Sequence, residues 1–303
     1  MEAAAKTEDE RTMLQQDFVR FSALHVASGD VDPLYGVLKH LIQDRDPEGQ
    51  TEDALTYVAF YSLPSAMRWR ARVSGQSPEQ WAEPDAYLPT GIERRSLRGG
   101  KNMLRHLRDV ERLREEHGGL RRWLMRDFQG DPKRDWITLQ ETTREAWGNG
   151  RWAAYKTAEI CQKVLGYPVE PSDMGNAGST GPRRGLELLF GPSTSVMQLD
   201  LWGSQLHRRL RGFGVHLDLA EVETCLCDFH SMYQGHYYVG HDIDQMQEQI
   251  VAAKLPPEDE VMLWEARAAV LRPEYLGELN GWTGVDKERA RQYRDSGEIV
   301  SRG

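Results

Sequence analysis

The residue pattern with the clearest chemical potential lies at the middle of the chain. Trp147-Gly148-Asn149-Gly150-Arg151-Trp152-Ala153-Ala154 joins two predicted helices through a turn with two glycines two positions apart. Glycine admits the positive φ that a tight reversal requires. The amides that open the second helix have no intrahelical acceptor, so they point outward toward an anion such as a DNA phosphate. Gly148, Asn149, Gly150, Arg151 and Trp152 are therefore the expected DNA-gripping residues, and Ala153 and Ala154 allow close helix packing. The same residues also fit a plain structural turn between helices.

Charge supports the DNA reading locally and opposes it globally. The 303 residues carry 38 Lys and Arg against 47 Asp and Glu, a formal charge of −9. Evenly spread, that charge would repel nucleic acid. From Arg94 to Arg126, however, eleven cations face four acids, 11 − 4 = +7. Arg105 and Arg108 in this run are expected to meet phosphate, while the acidic flanks suppress loose electrostatic binding. A solvated helix whose arginines pair with nearby acids is the alternative.

The run Gly-x-Gly-Arg-Trp-x-Ala, followed by a helix, Gly166-Tyr167-Pro168 and an aspartate, resembles the helix-hairpin-helix superfamily of DNA glycosylases. The resemblance implies a catalytic carboxylate a little over twenty residues beyond the second hairpin glycine. Asp173 matches it, since 173 − 150 = 23. Asp173 also fits as a helix cap ahead of Met174-Gly175-Asn176. Bifunctional members carry a Schiff-base lysine two residues after that glycine, where this chain has Trp152, so no lyase activity is implied.

A second resemblance reaches further. Gly29-Asp30-Val31-Asp32-Pro33, the run Tyr57-Val58-Ala59-Phe60-Tyr61 with Ser65-Ala66, and Glu223-Thr224-Cys225-Leu226-Cys227-Asp228-Phe229 are similar to the α-glutamyl/putrescinyl thymine pyrophosphorylases, a group that includes phage amino acid:DNA transferases. This implies a transferase that replaces pyrophosphate on 5-(pyrophosphoryloxymethyl)uracil in DNA with an amine, either an amino acid such as glycine or glutamate or a polyamine. The target base must leave the stack. Trp136, Trp147, Trp152 and Tyr155 are available to sandwich it or to wedge the duplex, and equally to fill a core. Gly178-Ser179-Thr180-Gly181-Pro182-Arg183-Arg184-Gly185 offers flexible backbone, the Ser179 and Thr180 hydroxyls and the Arg183 and Arg184 guanidinium groups for pyrophosphate, or is a mobile surface loop. A carboxylate must bind the ammonium and take its proton. Asp173 is first in line, with Glu223 and Asp228 for amine or base recognition. A monofunctional glycosylase and a non-catalytic DNA-binding protein remain the alternatives.

The elements that must position these residues are helical. Met13, Phe18, Phe21 and Leu24 recur at helical spacing within 1–28. Asp32 and Pro33 then start a helix through Leu41, and a core helix is predicted over 52–71, with Pro64 either kinking it or marking a first turn. A Pro/Gly-punctuated loop, 74–100, precedes a basic helix over 102–116 ended by Gly118-Gly119. Further helices are expected at 119–128, 135–147, 151–165, 195–211, 218–234 and 258–271, and strand-like alternation is scarce. The fold class is mainly α, with a helix-hairpin-helix glycosylase-like arrangement: an N-terminal helical part over 1–100, a hairpin-bearing core over 101–192 and a C-terminal helical part over 193–303.

Three cysteines, two of them separated by one residue, do not make a disulfide framework, and Cys225, Cys227, His230, His236 and His241 do not follow a standard zinc spacing. No metal or cofactor is expected beyond the amine co-substrate and the pyrophosphate product. Tyr233-Gln234-Gly235-His236-Tyr237-Tyr238-Val239-Gly240-His241 reads as a loop over DNA or over the site. Leu55–Leu63 is too short to span a bilayer, and the first residues are polar, so the expected setting is a cytoplasm, that of a host if the protein is phage-encoded. Its partners are double-stranded DNA carrying modified pyrimidines and a free amino acid or polyamine, with no membrane.

Overall fold

A computed structural model describes residues 7–272; the outermost parts of the 1–100 and 193–303 divisions lie outside the described residues. Among the described residues the chain forms thirteen α-helices and no strand. Its contacts divide it into two units. The first takes the chain up to Pro33 and Asp173–Asp244, and the second takes Leu34–Ser172 and Gln245–Val270.

In the first unit, α1 (Glu8–Ser28), α9 (Gly181–Phe190), α10 (Val196–Gly212) and α11 (Leu219–Tyr233) pack together. Thr7 and Glu10 form a capping box at the start of α1, and Gly29, at φ 73°, ends it in the left-handed conformation that glycine adopts without strain. Phe18 and Phe21 from α1 enter a core with Leu186, Leu189, Leu210 and Phe229. Phe18 meets Phe229 edge to face at 5.4 Å. α9 lies very close to α11: a Cβ on Gly185 would sit 2.5 Å from the Leu226 carbonyl oxygen. The stretch expected to be flexible around 181–185 is therefore the first half of a packed helix, because its two glycines admit α11 rather than loosen the backbone.

The second unit is built around α3 (Pro47–Phe60), buried along most of its length. It contacts α4 (Leu63–Val73), α5 (Lys101–His117), α6 (Leu120–Met125) and α8 (Arg151–Lys163). α7 (Pro132–Thr143) packs on α8, and α13 (Pro257–Val270) on α4. α2 (Pro33–Ile42) belongs to this unit from Leu34 and α12 (His241–Ala252) from Gln245. The single helix expected over 52–71 is two. Tyr61 adopts φ 48° and caps α3, Ser62 is extended, and Pro64 falls in the first turn of α4, where a missing N–H is tolerated. Ser65 secures the break by donating to the Pro89 carbonyl at 2.7 Å.

The loop between α4 and α5 contains two short 3-10 turns, Pro78–Gln80 and Ile92–Leu97. The Arg108 guanidinium holds it from α5, donating to the carbonyls of Pro78 and Trp81 at 2.8 Å each. No described helix is long and apolar enough to cross a membrane.

Candidate functional site

The residues expected to grip DNA all belong to the second unit, and those expected to do chemistry all belong to the first. In the hairpin, Gly148 has φ 88°, whereas Gly150 is extended and opens α8. Gly150 contributes no capping side chain, and no acidic residue occupies the first turn of α8. A Cβ on Gly150 would meet nothing within 4 Å, so this face of the turn is open. The helix dipole at such an end favours an anion.

Buried partners hold the turn from behind. Trp147 N–H donates to Asp109 at 2.6 Å, and its carbonyl lies 2.6 Å from His106 Nδ1. A carbonyl only accepts, so Nδ1 carries the proton and Nε2 is left to accept from Arg94 at 3.5 Å. Arg94 also donates to the Asn149 side-chain oxygen at 3.1 Å and to the carbonyls of Gly148 and Ala59. Burial lowers Arg94 to about 10, and burial together with the Arg94 charge lowers His106 to about 4. The imidazole is therefore neutral near pH 7. Arg94 lies within the basic run, yet it is a buried clamp rather than a surface cation.

Other members of that run are also engaged internally. Arg112 pairs with Asp109 and Glu116, Arg114 with Glu111, Glu48 and Glu52, and Arg126 with Asp127 and Glu145. Arg108 clamps the 74–100 loop. Arg105 is exposed and lies 4.1 Å over the Trp147 ring beside the turn. Trp152 packs edge-on against Tyr61, while Trp136 and Tyr155 are core residues that pack on each other.

In the first unit, two of the three segments that carry the second resemblance come together. Thr224 donates to Asp32 at 2.9 Å, and Asp228 lies 3.2 Å from His25 Nε2. Asp32 has φ 47°, unusual outside glycine. His25 is fully buried and stacks on Phe21. Its Nδ1 is 3.7 Å from Asp30, an equally buried carboxyl that accepts from Gly240 N–H at 2.7 Å, Ile243 N–H at 3.1 Å and the Tyr237 hydroxyl at 3.0 Å. Burial raises Asp30 to about 8 and lowers His25. From the end of α11 to the start of α12, the stretch expected as a loop over DNA or the site is exposed at Tyr233, Gln234 and His236 and buried at Tyr237, Tyr238 and Val239. It supplies partners to Asp30.

Glu223 and Asp228 lie on α11. Asp173 is half-buried and accepts from Gly175 N–H at 2.7 Å, closing a tight turn. Thr180 precedes α9, Ser179 belongs to the turn that begins at Gly175, and Arg183 reaches Glu187 at 3.6 Å. Sequence reasoning did not single out His25, although its spacing from Phe18 and Phe21 puts it on the buried face of α1. Among the described residues no three His, Cys, Asp or Glu side chains converge as a metal site requires.

No curated protein matches the chain. The family model for amino acid:DNA transferases matches residues 48–238, which include the hairpin, Asp173 and α11. With well over half of its length so matched, the chain belongs to the amino acid:DNA transferase family.

Proposed function

We propose that this transferase replaces the pyrophosphate of 5-(pyrophosphoryloxymethyl)uracil in double-stranded DNA with an amine, either an amino acid such as glycine or glutamate or a polyamine, giving a hypermodified thymine. The family match over residues 48–238 carries the reading. The open amide end of α8 behind Gly148, Asn149 and Gly150, with Arg151, Trp152 and the Arg105–Trp147 stack beside it, is the kind of surface that receives a backbone phosphate.

The base carbon that reacts sits inside a duplex, so the nucleotide must turn out of the stack to reach a pocket. The amine reaches the protein as an ammonium ion. A carboxylate from Asp173, Glu223 or Asp228 binds it and accepts its proton; the nitrogen lone pair then forms the N–C bond to the methylene. The C–O bond breaks, and pyrophosphate departs with the electron pair. Ser179, Thr180, Arg183 and Arg184 are assigned to that leaving group, since cationic and hydroxyl donors stabilise the charge it develops. The exchange balances without a cofactor.

Nucleoside mass analysis after incubating the protein with pyrophosphorylated hydroxymethyluracil DNA and a panel of amines tests the reading. The expected product carries the amine in place of pyrophosphate, with one pyrophosphate released per transfer. An abasic site instead would reassign the protein to base excision, and unchanged DNA with every amine would remove the proposal.

A further inference from the structure

We propose that Asp30 and His25 are positioning residues behind Asp228, forming a buried line that draws the proton of the amine substrate away from the reacting nitrogen. The inference rests on the function proposed above and names residues beyond those assigned there. Asp228 is the end of the line that substrate can reach, with 14 % of its side chain exposed, while His25 and Asp30 have none.

The geometry has a direction. Asp30 is immobilised by two backbone amides and the Tyr237 hydroxyl, and His25 lies between it and Asp228. The groups that act on His25 are Asp30, Asp32, Asp228, Asp242, His241 and Tyr237. Asp30, Asp242 and Asp32 raise the proton affinity of His25, but burial, the larger influence, lowers it, so the imidazole rests neutral and able to accept a proton. Because burial raises Asp30 to about 8, the Asp30–His25 pair takes up one proton near that pH. A general base is most effective with an affinity close to the working pH.

The step balances. A carboxylate oxygen of Asp228 takes a proton from the ammonium, and its Oδ2 passes a proton across 3.2 Å to His25 Nε2. Above about pH 8, where Asp30 is ionised, the resulting imidazolium is paired with its carboxylate across 3.7 Å. The freed lone pair forms the N–C bond, and pyrophosphate leaves with the electrons of the C–O bond.

The experiment measures amine transfer to pyrophosphorylated hydroxymethyluracil DNA against pH, for the wild type, His25→Gln and Asp30→Asn, with glycine and with hydroxylamine, which is largely uncharged at neutral pH. In the wild type with glycine, kcat/KM rises with pH to an inflection near that of the pair. His25→Gln lowers kcat for glycine by about 10²-fold or more, removes the inflection and leaves the Kd for DNA unchanged. Hydroxylamine restores most of the loss, because it attacks as the neutral amine with no ammonium proton to be removed first, and a purely structural defect would not respond in this way. Asp30→Asn moves the inflection to lower pH. Imidazole 15N shifts of His25 in the wild-type protein, compared with Asp30→Asn, report the coupling without any turnover. A wild type that transfers no amine defeats the functional reading and the line with it. An active wild type whose His25→Gln variant is impaired equally with both nucleophiles, or is not impaired, defeats the line alone. A His25 titration indifferent to Asp30→Asn also defeats the line alone.

Discussion

Arg94 and Asn149, 55 positions apart in sequence, are joined by a 3.1 Å hydrogen bond from a buried guanidinium to the side-chain oxygen of the hairpin. The same arginine reaches the Gly148 carbonyl and His106, so one side chain on a 3-10 turn sets the shape of the turn expected to meet DNA. Replacing Arg94 by Met leaves several buried acceptors without their donor. A loss of about 2–4 kcal/mol is expected, together with weaker DNA binding. Urea unfolding and fluorescence anisotropy with duplex DNA check both effects, and full stability with unchanged affinity would contradict the clamp.

The two hairpin glycines are expected to respond differently. Gly148 sits at φ 88° with the Leu97 side chain against its missing Cβ, so Gly148→Ala costs roughly 1–2 kcal/mol. Gly150 has an ordinary extended backbone and open space, so Gly150→Ala changes stability by less than about 0.5 kcal/mol. If the open face receives a phosphate, Gly150→Ala still weakens DNA binding. Thermal melts and DNA titrations of the two variants separate folding from binding.

His106 gives a pH signature. Its folded value lies near 4, below the value of about 6.5 for an exposed histidine, because burial and Arg94 disfavour the imidazolium. The unfolded chain therefore binds the proton first as pH falls. The stability that neutral His106 supports is complete above pH 6.5 and declines toward pH 4, by up to about 3 kcal/mol. Urea midpoints followed from pH 7 to pH 4 should fall more steeply in the wild type than in His106→Gln. Parallel slopes would show that the histidine is not held neutral.

The contact between α9 and α11 depends on Gly185. A Cβ there would press 2.5 Å from backbone, which cannot step aside as a side-chain tip can. Gly185→Ala should destabilise the protein by about 1–3 kcal/mol. Gly212, at the end of α10 with nothing near its Cβ position, is the control, and Gly212→Ala should be neutral or slightly stabilising. Calorimetric melting of the pair tests whether close approach, rather than any glycine replacement, causes the loss.

By itself the sequence determined the helical class, the two-glycine turn at 148–150 and most helix ends, because periodic apolar positions, caps and glycines act over a few residues. It also carried the family: of the segments similar to it, those at 57–66 and 223–229 lie within the matched span 48–238, and 29–33 lies outside it. Only the tertiary structure decided that Arg94 is buried beneath the hairpin, that most of the neighbouring arginines are engaged by acids and carbonyls, and that His25 stands between Asp30 and Asp228. A charged side chain looks the same in sequence whether it faces water or a buried acceptor. The difference lies in desolvation and in partners brought from distant positions, as with His25 and Asp228 across 203 residues, and neither has a local signature.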